Sequence, residues 1–349
     1  MTSPGPWPDP APVARLALDG LAPGRWHALA LELATDARGA AVRAPVLVAR
    51  GAAPGPTLAV VAALHGDELN GAAAIHALVA TLPAERVARG ALVAVPVANV
   101  PGFLGQRRLY DDRTDLNHVM PGDPEGDEAA RYAHAVFARV AAGADLLCDL
   151  HTASRGRRNA LYVRADLRDP RCARMAHLCG AAIVLHHEAT PTTLRGAAAA
   201  AGIAAVTVEI GDPQVWQAEP ARAAADGLLR IAVDAGIADV APPAGPGAPP
   251  ATCAAARWLY APVGGLLTVH PAVGDRVSAG EEVARLVDVY GRPLAAVRTP
   301  EAGVVIGRSA NPVGPSGARV LHLGLPATGG EGFDAGATPL AARWPAGAS

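Results

Sequence analysis

The segment His65-Gly66-Asp67-Glu68 sets two good metal ligands three residues apart, and a second histidine, His151, ends the segment Asp149-Leu150-His151. Two histidines and a glutamate are a usual ligand set for a catalytic zinc, because three protein ligands leave one coordination position open for water. Asp149, two residues before His151, is of the type that orients a metal-bound imidazole. A third feature is Glu209, inside Val206-Thr207-Val208-Glu209-Ile210-Gly211. A carboxylate in an otherwise apolar strand is costly to bury without a partner. Either the strand is an edge with Glu209 facing water, or Glu209 is the base and acid that serves a metal-activated water. The second reading fits better.

These residues need elements that bring them together. Each candidate histidine follows a run of small apolar residues, 57–64 before His65 and 144–150 before His151. Such runs read as strands buried on both faces, and open α/β sheets bind ligands beyond the carboxyl ends of their strands. The spacing of His65 and Glu68 puts both on one face if a helix starts at the turn. The H-x-x-E pattern alone is common; the glycine-flanked turn H-G-D-E-L-N-G after a buried strand is what singles it out.

Further elements follow from period and punctuation. Strands are expected at 25–32, 42–48, 91–97, 160–163, 181–186 and 204–210, and helices at 69–81, 127–141, 170–180, 194–201 and 219–236. Asp127 is a suitable cap for the second helix. Residues 1–22 form a Pro- and Gly-rich lead, and the long polar stretch 99–127 has the character of a functional loop. Residues 241–250, A-P-P-A-G-P-G-A-P-P, mark a linker. Beyond it, short alternating strands divided by Gly and Pro predict a small barrel or sandwich. The expected division is 1–240 (lead and first strand in 1–40), linker 241–252, β domain 253–327 and a weakly patterned tail 328–349. The fold class is therefore α/β, a mixed, mostly parallel sheet flanked by helices with a smaller C-terminal all-β domain.

Composition excludes several functions. A net charge of -2 leaves no basic field for nucleic acid, and no apolar run approaches the length of a membrane helix. Residues 1–12 lack the basic and apolar regions of a secretory leader, so a cytoplasmic location is expected. All 30 basic residues are arginine. A Schiff-base enzyme, a Walker-type phosphate loop and a biotinyl or lipoyl carrier each need a lysine, so those classes drop out. The four cysteines are widely separated and form no C-x-x-C pair, so neither a disulfide framework nor a cysteine zinc site is indicated; Cys148 reads as a core thiol. His186-His187 can offer at most one side chain to a site, since neighbours on a strand face opposite ways.

Taken together, the motifs resemble the succinylglutamate desuccinylase and aspartoacylase family of zinc amidohydrolases, which is related in fold to zinc carboxypeptidases. The matching residues are H-G-D-E-L-N-G at 65–71, N-V-P-G-F at 99–103 with Arg108, D-L-N at 115–117, D-L-H at 149–151 and E-I-G at 209–211. The resemblance covers about residues 40–240, and the β-rich C-terminal part is similar to the family's second domain. It implies one zinc per chain held by His65, Glu68 and His151, with Glu209 activating water. Arg108 would polarise the acyl carbonyl, or Arg107 if the loop shifts by one, and Asn117 would contact substrate. It implies hydrolysis of the amide of a small N-acylated amino acid or amine, with peptide hydrolysis as the alternative activity. A non-catalytic zinc module is the alternative from outside enzymes. No nucleic acid or membrane partner is implied, and a homo-oligomer is compatible.

One departure concerns the substrate. Where the family usually continues D-L-N with an arginine that clamps a carboxylate, this chain has His118, and Met120 stands where Phe is common. Histidine neither matches the bidentate fork nor keeps a constant charge. Either Arg155, Arg157 or Arg158, in the turn after His151, takes over that clamp, or the substrate lacks the carboxylate.

Overall fold

Four strands at the centre of the molecule run parallel: Arg89–Val95, Ala53–Ala62, Leu146–His151 and Ala204–Ile210, in that spatial order. Ala, Val, Leu and Ile make up most of their residues, as strands covered on both faces require. Successive side chains leave on opposite faces: Leu58, Val60 and Ala62 enter one core, Ala59 and Val61 the other. Helices Asn70–Thr81, Pro170–Leu178 and Ala218–Asp234 cover the first face, and Glu128–Val136 and Leu194–Ala200 the second. A computed structural model describes residues 9–327, 333 and 338–344.

The sheet is mixed, as expected. Trp26–Thr35 and Ala41–Arg50 add antiparallel strands beyond Arg89–Val95. On the other side, Leu161–Ala165 runs antiparallel to Ala204–Ile210 and parallel to Ile183–His186. Asp127 caps its helix, accepting from the Ala130 amide at 2.9 Å. The stretch 99–127 contains a short helix, Val100–Leu104, capped by the Asn99 side chain, and a 3₁₀ turn, Leu116–His118, capped by Asp115. No helix of the described residues is long and apolar enough to cross a membrane. All four cysteines are buried and free.

The C-terminal strands continue the central sheet. Ala251–Tyr260 pairs in parallel with Ile183–His186, and Arg319–Pro326 and Gly303–Ser309 follow in antiparallel order. A second, four-stranded sheet of Gly265–Val269, Glu282–Val287, Pro293–Arg298 and Val313–Gly314 packs on this extension over its own core. The Pro-rich stretch before Ala251 therefore joins two parts of one sheet. Of the weakly patterned tail, the described residues dock on the first face: Leu340 is buried, its amide donates to Asp234 at 2.9 Å, and Arg89 donates to the Trp344 carbonyl at 2.7 Å. The other tail residues, 328–332, 334–337 and 345–349, and residues 1–8 of the lead lie outside the described residues.

Candidate metal centre and active-site cleft

The strand Ala53–Ala62 ends in Ala63, a non-glycine residue held at φ 48°. That left-handed turn aims the following residues across the sheet edge, and strained backbone of this kind is typical of sites over-determined by their surroundings. His65 then closes a tight turn with Glu68, whose amide donates to the His65 carbonyl at 3.1 Å. The helix itself starts at Asn70. The i, i+3 pair thus converges through a turn and not along a helix face.

Two glycines make the turn possible. A Cβ on Gly66 would stand 2.1 Å from the Gly102 carbonyl carbon, and one on Gly71 would stand 2.8 Å from Leu150 Cβ. The first contact is with backbone that cannot swing away, so Gly66→Ala is expected to push His65 off its position. The affinity of the site for a divalent metal should then fall by about tenfold or more, read by elemental analysis after dialysis, while circular dichroism remains folded.

The candidate ligand atoms lie close together. His151 Nδ1 lies 3.0 Å from His65 Nδ1 and 2.9 Å from Glu68 Oε2, and His65 Nδ1 lies 3.1 Å from Glu68 Oε1. All three residues are buried. Two imidazole nitrogens that face each other this closely need a shared cation or proton between them. Each ring's far side meets a carboxylate: His65 Nε2 is 3.0 Å from Asp115 Oδ1, and His151 Nε2 is 3.0 Å from Asp149 Oδ2. Asp149 is close but out of line, and both its oxygens lack a directed hydrogen bond. Burial opposes a charge on His151, yet Asp149 and Glu68 outweigh it and raise the imidazole to about 10. Burial likewise opposes the Asp115 carboxylate, but His65 and Arg108 hold its carboxyl far below the usual range. The field at this point favours a cation, and imidazole with carboxylate is a donor set that divalent zinc accepts.

Arg108 closes one side. Its Nη1 donates to Glu68 Oε1 at 2.6 Å and to Ser154 Oγ at 3.0 Å, and its Nε donates to Asp115 Oδ2 at 3.2 Å. Asp115 thereby fixes both an imidazole and the arginine. The opposite side carries Glu209, the register partner of His151 on the adjacent parallel strand. Its strand is internal and the side chain is only 5% exposed, so it is not an edge residue facing solvent. Arg164 donates to Glu209 Oε1, and Asn159 Nδ2 donates to Oε2 at 3.1 Å. Asn159 arrives on the strand Arg157–Asn159, which pairs with Gly303–Ser309 of the C-terminal extension. A side chain at Gly307 would overlap Asn159 Oδ1 at 2.3 Å, so a glycine there lets the amide reach Glu209.

These groups line one cleft of about 340 Å³. Asn117 is in it, with Nδ2 3.5 Å from His151 Nε2 and Oδ1 accepting from the Leu194 amide at 2.8 Å. His118 stands exposed at the rim, 4.0 Å from Asp115 Oδ2. Arg107 and Arg155 lie outside the lining: both are exposed, and Arg107 pairs with Asp111. The arginine that the turn after His151 turns inward is Arg157. His187, not His186, faces the cleft, where Arg195 donates to its carbonyl at 2.8 Å. Sequence reasoning also missed Asn70, whose buried amide donates to the carbonyls of Ile210 and Asp212 and ties the His65 turn to the Glu209 strand. It missed Arg164, although a lone arginine in L-Y-V-R-A carries the same signal that marked Glu209. Three lining residues, Trp258, Arg319 and His322, come from the C-terminal extension.

Residues 54–233, just over half of the chain, match the family model of the succinylglutamate desuccinylase/aspartoacylase catalytic domain. The chain belongs to the succinylglutamate desuccinylase/aspartoacylase family. Desuccinylase/aspartoacylase relatives of similar length share its architecture. The chain is 27% identical over 318 residues to N-alpha-acetyl-L-2,4-diaminobutyric acid deacetylase of Halomonas elongata, covering 86% of this chain and 91% of the relative. The product-bound structure of the ectoine utilization protein EutE (DoeB) of Ruegeria pomeroyi superposes with a TM-score of 0.78 at 25% identity, covering 89% of this chain and 97% of that one. A succinylglutamate desuccinylase structure from Silicibacter sp. TM1040 gives a TM-score of 0.75 at 26% identity and the same coverages. The desuccinylase/aspartoacylase family is one of deacylating hydrolases, and the mixed sheet with its β-rich C-terminal part is the fold these structures share.

Proposed function

We propose that the protein is a zinc-dependent deacylase that hydrolyses the amide bond of a small N-acylated amino acid or amine. The observation that carries the reading is the meeting of His65, Glu68 and His151 at one buried point, with Arg108 on one side and the carboxylate of Glu209 on the other. His65, Glu68 and His151 would hold one zinc per chain, which when bound lowers the pKa of a water and polarises a carbonyl. Glu209 takes the proton of the attacking water and returns it to the departing nitrogen. Its two fixed hydrogen bonds keep the carboxylate aimed into the cleft. Arg108, itself held by Glu68, Ser154 and Asp115, offers a preorganised charge to the acyl oxygen as it becomes negative. Asn117, anchored by Leu194, contacts the substrate beside His151, and His118 meets it at the rim.

A cleft of about 340 Å³ lies at the small end of ligand pockets, which favours a small acyl compound over a peptide. The names of the relatives support amide cleavage: one is a deacetylase, another a desuccinylase. The test is amine release from N-acetyl and N-succinyl amino acids, including N-acetyl-2,4-diaminobutyrate, set against dipeptides. Release from acyl compounds is expected, with loss in a chelator and recovery with zinc. A preference for dipeptides, or activity indifferent to chelation, would overturn the assignment.

A further inference from the structure

The charges lining the cleft do not balance. Arg108 is paired with Glu68 and Asp115, and Arg164 with Glu209. Three more arginines line the cleft without a carboxylate partner among the described residues: Arg195, which is held by the carbonyl and Nδ1 of His187, and Arg157 and Arg319, which are not so held. Both guanidinium groups lie over the ring of Trp258, Arg157 at 5.4 Å and Arg319 at 5.1 Å from its centroid. His322 stacks on the same indole at 4.5 Å, nearly parallel at 5°.

We propose that Arg157 and Arg319, braced on Trp258, form an oxyanion subsite that takes a carboxylate of the substrate on the side of the cleft closed by the C-terminal extension. The assignment of that carboxylate to a substrate rests on the deacylase reading above. Four observations support the subsite. First, two like charges are held near one another without a counter-ion: burial and the repulsion of Arg319 and Arg108 both act against the charge on Arg157. An arrangement of that kind is relieved when an anion bridges the pair. Second, Glu209 and Glu68 favour the charge on Arg157 only through space, without an ion pair, and burial with the two arginines outweighs them. The oxygens of Glu209 are engaged by Arg164 and Asn159, and those of Glu68 by Arg108, His151 and Thr152.

Third, the stacked histidine adds no charge of its own. Burial, then the surrounding arginines 164, 157 and 319, push His322 down to about 3, so it is neutral at any physiological pH. Fourth, the platform is built, not incidental. Arg157 is fixed by the pairing of its strand with Gly303–Ser309, while Trp258 and His322 are register partners on adjoining strands. A guanidinium laid on an aromatic face keeps its edge free for the bidentate grip that carboxylates accept.

The test separates the second carboxylate from the first, which can bind at the metal. Zinc-loaded protein is titrated calorimetrically with dicarboxylates from succinate to adipate, each against the monoacid of equal chain length. At the best length the dicarboxylate should bind about tenfold or more tighter than its monoacid. In R157Q/R319Q that preference should vanish while monoacid affinity and zinc content stay as in the parent. Arg319 is exposed, so R319Q alone, with an expected loss of about threefold or more, serves if R157Q disturbs its turn. Equal binding of the two series, or a preference that survives both variants, overturns the subsite. No turnover is needed for this readout. Intact dicarboxylate preference without amide hydrolysis would sink the deacylase reading alone, and hydrolysis without the preference would sink the subsite alone.

Discussion

Glu209→Gln is expected to lower kcat by about 100- to 10,000-fold, the range a positioned general base and acid contributes. Zinc should stay bound at one per chain, because Glu209 is not among the three converging ligands. Glutamine is the informative replacement. It retains an oxygen for Arg164, whereas alanine would leave that half-buried guanidinium unpaired and confuse activity with stability. KM should move little if, as proposed, the carboxylate acts on water and on the leaving nitrogen and not on the ground-state substrate. Measured kcat, KM and zinc content decide the matter together. Near-normal turnover with normal zinc would remove Glu209 from the chemistry.

Glu209 was legible in the sequence because a buried carboxylate must answer to something, and V-T-V-E-I-G is otherwise apolar. The same argument applied to Arg164 in L-Y-V-R-A would have flagged it, although its pairing with Glu209 shows only once the two strands are known to lie side by side. The central strands were legible because residues covered on both faces leave continuous apolar runs. What the sequence hides is non-local. Asp115 reaches His65 across fifty residues of chain, and nothing in D-L-N announces which imidazole it meets. The joining of Ala251–Cys253 to Ile183–Leu185 is a pairing choice, and the Pro-rich stretch before it argued for a break. Of the three turn arginines, period-two alternation decides: Arg157 and Asn159 face the cleft and Arg158 faces out, which becomes clear only once 157–159 is known to be a strand. The C-terminal extension's share of the cleft follows from that same pairing, because the strand that carries Asn159 to Glu209 is held by Gly303–Ser309.

The ligand set is tested most cleanly at His65. His65→Ala is expected to weaken zinc binding by more than the roughly 10- to 100-fold that removing a supporting carboxylate costs, and to abolish turnover. His151→Ala would be harder to read, because Asp149 has both oxygens without a directed hydrogen bond and would lose its neighbouring imidazole in a fully buried setting. At His65 the remaining groups keep their partners: Asp115 still receives Arg108 and the Asn117 amide, and Glu68 still receives Arg108 and the Thr152 amide. The apo forms of parent and variant should therefore melt within a few degrees of each other, while only the parent gains stability as zinc is added. Asp115→Asn gives the graded comparison. It keeps a hydrogen-bonding group beside Nε2 but removes the charge that makes the imidazole a stronger donor, so its affinity should fall between parent and His65→Ala. Dialysis followed by elemental analysis, with zinc-dependent melting as the second readout, ranks the three proteins. Stoichiometric zinc in His65→Ala would show that the metal is held elsewhere.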